Sequence, residues 1–316
     1  MRTVKLIEVK SEIGAGTRGA SLGVDAIKIA ALDFGSSYFK KIRSVEIPNE
    51  NKQLLEPVRN YYARRIGALY MMYQRISKEV EKTLLSKQFP IVLAGDHSTA
   101  GGTIAGIRIA YPNKKLGVIW IDAHSDLHSP YTTPSGNMHG MPLAVSLGED
   151  NLEKQVNEPV EHTIQLWEKL KNIGDICPKI EYEDLVFVGL RDMEPQEEYL
   201  VKKHKMKQLS VAELRRKGVD RAAVETLKML DHCDLIYISF DVDSMDPSIS
   251  KGTGTPVPKG ITEKEAGNFI GSLVRSTKVC CFEMVEINPT LDKENLMAEN
   301  AFEILQKVTN QLMYVV

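Results

Sequence analysis

The chain has 316 residues, enough for one large α/β domain or two ordinary ones. With 43% hydrophobic and 26% charged residues it is neither a disordered chain nor a membrane protein, and no apolar run approaches the roughly 18 residues of a membrane span. Forty Lys and Arg against 42 Asp and Glu leave a net charge of −2, which argues against a general affinity for nucleic acid or anionic lipid. The four cysteines (Cys177, Cys233, Cys280 and Cys281) form no CxxC and read as reduced core residues. The N-terminal MRTVKLIEVK alternates like a strand and lacks the apolar stretch of a signal peptide, so the expectation is a soluble cytoplasmic protein.

In chain order, strand patterns fall at Thr3–Val9, Phe89–Ala94, Leu116–Ile121, Asp184–Gly189, Leu235–Phe240 and Lys278–Val285. Several are apolar at nearly every position, as central parallel strands covered on both faces should be. Helical patterns lie between and after them, at Ser21–Asp33, Leu55–Ser86, Gly101–Tyr111, Glu161–Asn172, Val211–Leu230, Thr262–Ser276 and Glu299–Leu312. The alternation predicts an α/β fold, a three-layer α-β-α arrangement around a mostly parallel sheet. There is no repeat and no linker rich in Pro, Gly or Ser, so residues 1–316 read as a single catalytic domain, with 149–180 a more polar surface excursion.

Ligands of open parallel sheets bind beyond the carboxyl ends of the strands. Three strand patterns are followed there by metal-ligand types: Gly95-Asp96-His97-Ser98, then Asp122-Ala123-His124-Ser125-Asp126, then Asp241-Val242-Asp243. In extended chain, Asp122, His124 and Asp126 share a face, as do Asp241 and Asp243. Alone, each motif is as readily a loop or a helix cap; three of them after three apolar strands point to a common centre. Crowded carboxylates repel unless cations neutralise them. Two imidazoles and four carboxylates suit a pair of divalent ions, with oxygen-rich ligation favouring manganese over a structural zinc site. Two such ions roughly 3.5–4 Å apart can share a bridging hydroxide.

The blocks AGDHS (94–98), DAHSD (122–126), SGNMHG (135–140), GLRD (189–192), SFDVDSMDP (239–247), GTGTP (252–256) and EINP (286–289) resemble the arginase/ureohydrolase family, in its order and over nearly the whole chain. Ala94 stands where that pattern usually has glycine. The stretch TTPSGNMHGMPLA (132–144) is most similar to the arginase branch, bacterial members in particular. The resemblance implies hydrolysis of the guanidinium of L-arginine to L-ornithine and urea at two Mn²⁺ ions per subunit, in a homo-oligomer (trimer or hexamer). By motif, His97, Asp122, Asp126 and Asp241 would hold one ion and Asp122, His124, Asp241 and Asp243 the other, so that Asp122 and Asp241 bridge. Asp126 would hydrogen-bond the nucleophile, Glu286 would orient the guanidinium, and His139 would shuttle protons or assist departure of the amine.

The resemblance further implies that His128–Asn137 receives the α-carboxylate, with Thr133, Ser135 and Asn137 as donors. Asp192, Glu194 and Glu197 would line the α-amino end, and Thr255 would lie near the substrate. Two departures fall at that end. His128 replaces the usual Asn and can either donate to a carboxylate or turn to the metals. Glu194 replaces the usual Asp, one methylene longer. A ureohydrolase for another guanidino or formimino compound (agmatine, a guanidino acid, formimidoylglutamate) is therefore the alternative. A two-metal phosphoesterase would want basic groups near the ions, where the matched residues are acidic. A non-enzymatic binding protein on this fold sits poorly with a complete ligand set.

Other features read as incidental. Gly14-Ala15-Gly16-Thr17-Arg18-Gly19 matches G-x-G-x-x-G, but its helix starts late and the next strand is weak, so no dinucleotide site is expected. His162, His204 and His232 are expected on the surface without matched ligands. Tyr61, Tyr62, Tyr70, Met71, Met72 and Tyr73 are expected in core or subunit packing along one long helix, and Arg215-Arg216-Lys217 as a helix C-terminal charge cluster.

Overall fold

The structure, a computed structural model, describes residues 2–314. Its strands are β1 (Thr3–Val9), β2 (Ser44–Glu46), β3 (Gln88–Ala94), β4 (Leu116–Ile121), β5 (Leu185–Val188), β6 (Lys207–Leu209), β7 (Leu235–Asp241) and β8 (Val279–Val285). They form one sheet in the order β2-β1-β3-β8-β7-β4-β5-β6, and every pairing is parallel. The apolar runs occupy its middle: all six residues of β4 and all of β7 after Leu235 are buried.

Alternate residues of these strands feed two separate cores. Ile119, Ile121, Ile238, Phe240 and Phe282 pack with Ile27 of the helix Gly23–Asp33, Phe269 of Glu263–Leu273, and Phe302 and Leu305 of Leu296–Tyr314. Val118, Trp120, Tyr237 and Cys281 pack on the other face with Met72 and Tyr73 of Ile66–Leu85, Ile104 of Ala100–Ala110 and Trp167 of Glu161–Lys171. The result is the three-layer α-β-α arrangement that the period-2 strands and interleaved helices predict. Among the described residues no helix is long and apolar enough to cross a membrane.

Several expectations are corrected. The helix expected from Leu55 begins at Ile66, because Arg65 adopts a left-handed conformation (φ 59°) and residues 56–65 are irregular chain, bends and turns. Tyr61 and Tyr62 therefore precede it and are exposed, as is Met71, whereas Met72 and Tyr73 are fully buried. The expected helix Val211–Leu230 is two, Val211–Lys217 and Val219–Met229, broken at Gly218 (φ 81°). The short edge strands β2 and β6, and the helices Tyr38–Lys41, Pro142–Leu147 and Pro195–Lys203, have too few turns or alternations to show as periodicity. Cys177 is exposed rather than in the core. The 149–180 excursion is anchored, with Trp167 fully buried and its Nε1 donating to Asp150 at 2.7 Å.

At the site-bearing edge one glycine sets the spacing of three strands. A Cβ on Gly95, just past β3, would lie 2.1 Å from the Ser11 carbonyl oxygen beyond β1. The Asp96 amide donates to that oxygen at 2.9 Å, and the Glu286 amide, beyond β8, donates to the Gly95 carbonyl at 2.7 Å. Gly95→Ala must part these backbones. It is expected to lower unfolding free energy by about 1–3 kcal/mol, read from the midpoint of chemical denaturation; an unchanged midpoint would contradict this packing.

Candidate metal centre and active-site cleft

The three motif loops open in one way. Asp96, Asp122 and Asp241 stand at the ends of β3, β4 and β7, and the Oδ1 of each accepts the amide two residues on, from Ser98 (2.9 Å), His124 (2.7 Å) and Asp243 (2.7 Å). Such Asx turns bend the chain sharply at the strand end. The ligands thus converge through turns, not through the extended face-sharing that spacing alone suggests: residues 122–124 are bends, Asp126 is left-handed (φ 51°), and Val242–Ser244 is a 3₁₀ turn.

With Oδ1 tied down, the second oxygens of Asp122 and Asp241 turn inward. His97 Nδ1 lies 3.0 Å from Asp122 Oδ2, 3.1 Å from Asp126 Oδ2 and 3.2 Å from Asp241 Oδ2. His97 Nε2 is engaged by Ser239 Oγ at 2.8 Å, and its ring stacks on Trp120 with centroids 4.1 Å apart. Alongside, His124 Nδ1 lies 2.9 Å from Asp243 Oδ2 and 3.5 Å from Asp122 Oδ1. Asp122 belongs to both groups, His97–Asp122–Asp126 and Asp122–His124–Asp243, in each of which the ligand atoms lie within 4.8 Å of one another. His97 Nδ1 and Asp122 Oδ2 are buried without any hydrogen-bond partner. Orphaned polar atoms in a buried ring of oxygens and imidazole nitrogens are groups that a divalent cation would satisfy, so the donor set fits a pair of such ions.

The electrostatics agree. Burial and the neighbouring carboxylates push Asp241 and Asp243 upward, and Asp126 up to about 6. Burial also acts to raise Asp122, but the flanking His124 and His97 imidazoles outweigh it and hold Asp122 below the usual carboxylate range. At His97 burial favours the neutral ring, yet Asp122, Asp126 and Asp241 overcome it and raise its pKa. Positive charge is demanded here, and protons or cations must supply it.

Above the centre opens a cleft of about 430 Å³. Of the residues singled out in the sequence, His97, His124, Asp126, His128, Thr133, Ser135, Asn137, His139, Asp192, Glu194, Glu197, Asp241, Asp243 and Thr255 all line it. Asp122 and Glu286 stand behind its wall, 1% and 3% exposed. Glu286, left-handed at φ 66°, accepts the His97 amide at 2.9 Å and lies 3.4 Å from His139 Nδ1. Burial alone would lower His139, but Glu286 more than offsets it and carries the imidazole to about 9. Two non-glycine residues in the left-handed region at one centre mark backbone strain that the surrounding contacts maintain.

His128 does not meet the metal ligands. Its Nδ1 pairs with Thr132 Oγ1 and its Nε2 with Glu194 Oε2, both at 3.1 Å, with Glu197 Oε2 at 3.6 Å. This contact holds Glu194 down at about 2, whereas burial lifts Glu197 to about 7. Glu197 braces the loop from below, accepting Ser125 Oγ at 2.6 Å and the Leu127 amide at 3.1 Å. Thr133 Oγ1 accepts the Ser135 and Gly136 amides, Asn137 Oδ1 accepts from Arg64, and Thr255 Oγ1 donates to Asp243 Oδ2 at 3.0 Å. Asp192 is open to solvent, its side chain 63% exposed.

Sequence reasoning passed over several participants. Gly14, set aside with its glycine motif, donates its amide to Asp96 Oδ2 at 3.0 Å and accepts the His139 amide at 3.2 Å, tying the first loop to the cleft wall. Arg191, inside a matched block, donates to the carbonyls of Asp243 and Val257. The remaining histidines are less bare than expected: His204 stacks on Tyr182 and His232 contacts Asp184 at 2.8 Å, while His162 is exposed.

A family model described as the arginase family matches residues 2–310. An arginase of Bacillus subtilis (strain 168) is 34% identical over 312 residues, 97% of each chain. Among solved structures, the arginase of Bacillus caldovelox is similar with a TM-score of 0.82 at 31% identity, covering 98% of both chains. An Entamoeba histolytica arginase, solved in complex with L-ornithine, has a TM-score of 0.82 at 26% identity over 99% of this chain and 100% of its own.

Because a raised His97 carries a proton that a cation must displace, metal loading is expected to release protons near neutrality and to strengthen as pH rises. Calorimetric titration with Mn²⁺ in buffers of different ionisation enthalpy reads this directly; heats that do not depend on the buffer would contradict it.

Proposed function

The chain belongs to the arginase family, and from that membership we propose that it hydrolyses L-arginine to L-ornithine and urea as a single catalytic domain over residues 1–316. Family and ligand cluster together support a divalent metal site; the further reading is two Mn²⁺ ions per subunit. It is supported by four carboxylates and two imidazoles, an oxygen-rich set of the kind manganese favours. His97, Asp122, Asp126 and Asp241 would hold one ion, and Asp122, His124, Asp241 and Asp243 the other.

When bound, such ions lower the pKa of water enough to provide a nucleophile at neutral pH, which a resonance-stabilised guanidinium carbon requires. Around them the protein's own groups have distinct tasks. Asp126 lines the cleft beside the centre and would accept the hydrogen bond of the attacking water. Glu286 would steady the guanidinium and, through its contact with His139 Nδ1, keeps that imidazole protonated at neutral pH. His139 can then hand a proton to the departing amine. At the far end, Ser135 and Asn137 offer donors for an α-carboxylate, while Asp192 and Glu194 offer acceptors for an α-ammonium.

The observation that carries the substrate reading is the lining of the cleft. Donors and carboxylates share its outer end, and among the described residues that line it there is no Lys or Arg. Agmatine has no carboxylate for the donors. Formimidoylglutamate brings two carboxylates toward acidic residues, and a phosphoester would meet the same repulsion. Free thiols support a cytoplasmic setting, the balanced charge speaks against a nucleic-acid partner, and the family pattern supports a homo-oligomer, trimer or hexamer.

Manganese activation followed by product analysis on L-arginine, agmatine, guanidinobutyrate and formimidoylglutamate is expected to give urea and ornithine from arginine; turnover of another compound in its place would overturn the reading. His139, protonated below about 9, loses its proton as pH rises through that value, so kcat should fall on the alkaline side. His139→Ala should lower kcat by about 10²–10⁴-fold and leave a residual rate without that fall. A wild-type alkaline profile retained in the variant would remove His139 from the proton transfer.

A further inference from the structure

At the edge of the sheet opposite the cleft, the amino ends of β5 and β7 carry a second group of ligand-type side chains. Asp184 immediately precedes β5, and His232 and Cys233 lie just before β7. β4 runs between those two strands. His232 Nε2 lies 2.8 Å from Asp184 Oδ1, and Cys233 Sγ lies 3.6 Å from the same oxygen. The imidazole nitrogen, the sulfur and the carboxylate oxygen all fall within 4.8 Å of one another.

Two local features aim these atoms. A glycine inside a strand weakens it and often marks a place where another group approaches closely. At Gly117 in β4 a Cβ would stand 3.1 Å from Cys233 Sγ, so the bare backbone gives the thiol room to lie over β4 and reach the residue before β5. Asp184 accepts the Glu181 amide on Oδ2 at 3.3 Å, which leaves Oδ1 to the cluster. Asp122 and Asp241 likewise give one oxygen to their own loops. Asp184 and Cys233 are each 2% exposed, while the His232 side chain is 37% exposed and opens the group to solvent. Lys115 Nζ lies 3.2 Å from Asp184 Oδ1 and 2.6 Å from Glu183 Oε1. It balances the buried carboxylate, and can keep Glu183 as its partner when an ion takes Oδ1.

We infer that Asp184, His232 and Cys233 form a second, separate metal site, for one thiophilic divalent ion of the Zn²⁺ class. Carboxylate, imidazole and thiolate are the donor types zinc uses, at about 2.0–2.3 Å, and three protein ligands with one side toward solvent leave a fourth position for water. The sulfur sets this site apart from the cleft, whose oxygen and imidazole donors suit harder ions. Burial pushes the Cys233 thiol up to about 12, so the incoming ion must displace its proton. The charges then close, one thiolate and one carboxylate neutralising one Zn²⁺. Bound there, the ion ties the amino ends of β5 and β7 together across β4.

The test loads the full, reduced chain with Mn²⁺ and titrates it with Co²⁺ as a spectroscopic stand-in for Zn²⁺. Only a sulfur ligand gives a thiolate-to-cobalt charge-transfer band in the near ultraviolet, so Co²⁺ entering the cleft is silent there. The wild type is expected to develop the band to saturation at one ion per chain and to lose it when Zn²⁺ is added. Cys233→Ser should abolish the band, and Cys177→Ser, at an exposed thiol outside the cluster, should keep it. His232→Ala should weaken Co²⁺ binding by more than the about 10–100-fold that an outer-shell partner is worth, with Mn²⁺-dependent turnover retained as proof of folding. A wild type without the band, a band that survives Cys233→Ser, or a folded His232→Ala protein that binds Co²⁺ as tightly as the wild type overturns the site. Each of these results leaves the catalytic reading standing, because no sulfur is among the ligands assigned to the cleft.

Discussion

Four carboxylates share the space around two imidazoles at the ends of three parallel strands, β3, β4 and β7, and that crowding is the constraint from which the rest of the architecture follows. His97 Nδ1 has three carboxylate oxygens within 3.2 Å, and each belongs to a residue under 8% exposed. Such an arrangement is repulsive in a dry medium and persists only with bound positive charge. A scaffold that can impose it must be stiff. The all-parallel sheet, buried on both faces at β4 and β7, is stiff because each interior strand is bonded to two neighbours and packed by two cores.

How the strand ends deliver the ligands is a matter of local chemistry. An aspartate at the last or next position gives one oxygen to its own loop and leaves the other for the centre. This halves its freedom before any ion arrives. The left-handed backbones of Asp126 and Glu286 add strain that neither residue type relieves as glycine would. Both are held by contacts from other elements, Glu286 by the amide of His97 and by His139.

Much of this is legible in the sequence because it repeats: apolar strand, then aspartate, then histidine or a second aspartate, three times over. The central strands were legible for the same reason, since burial on both faces leaves runs such as LGVIWI with no polar interruption. What escaped was whatever carries little periodicity or a single residue. β2 and β6 are three residues long at the sheet's edges, and the break at Gly218 is one backbone angle inside an otherwise helical pattern. Glu283 did leave a sign, a lone acid in the apolar stretch VCCFEMV, although its hydrogen-bond partner Tyr237 is 46 residues away in sequence and adjacent only through the register of β7 and β8. The destination of His128 was undecidable from spacing, because Glu194 reaches it from a different loop.

Gly14 joins the cleft wall from the first turn of the chain, and Glu286 closes it from beyond the last strand. The pocket is therefore a record of almost the whole topology: its walls meet only when segments some 270 residues apart have found each other through a sheet with no hairpins. Loop closure on that scale is slow, so catalytic competence arrives at the end of folding and not with any early fragment. A nascent chain still lacking β8 holds His97, the Asp122 loop and the Asp241 loop but not the strand between β3 and β7 that brings them together. Only when β8 has been made and has entered the sheet does a set of acidic loops become a binding site.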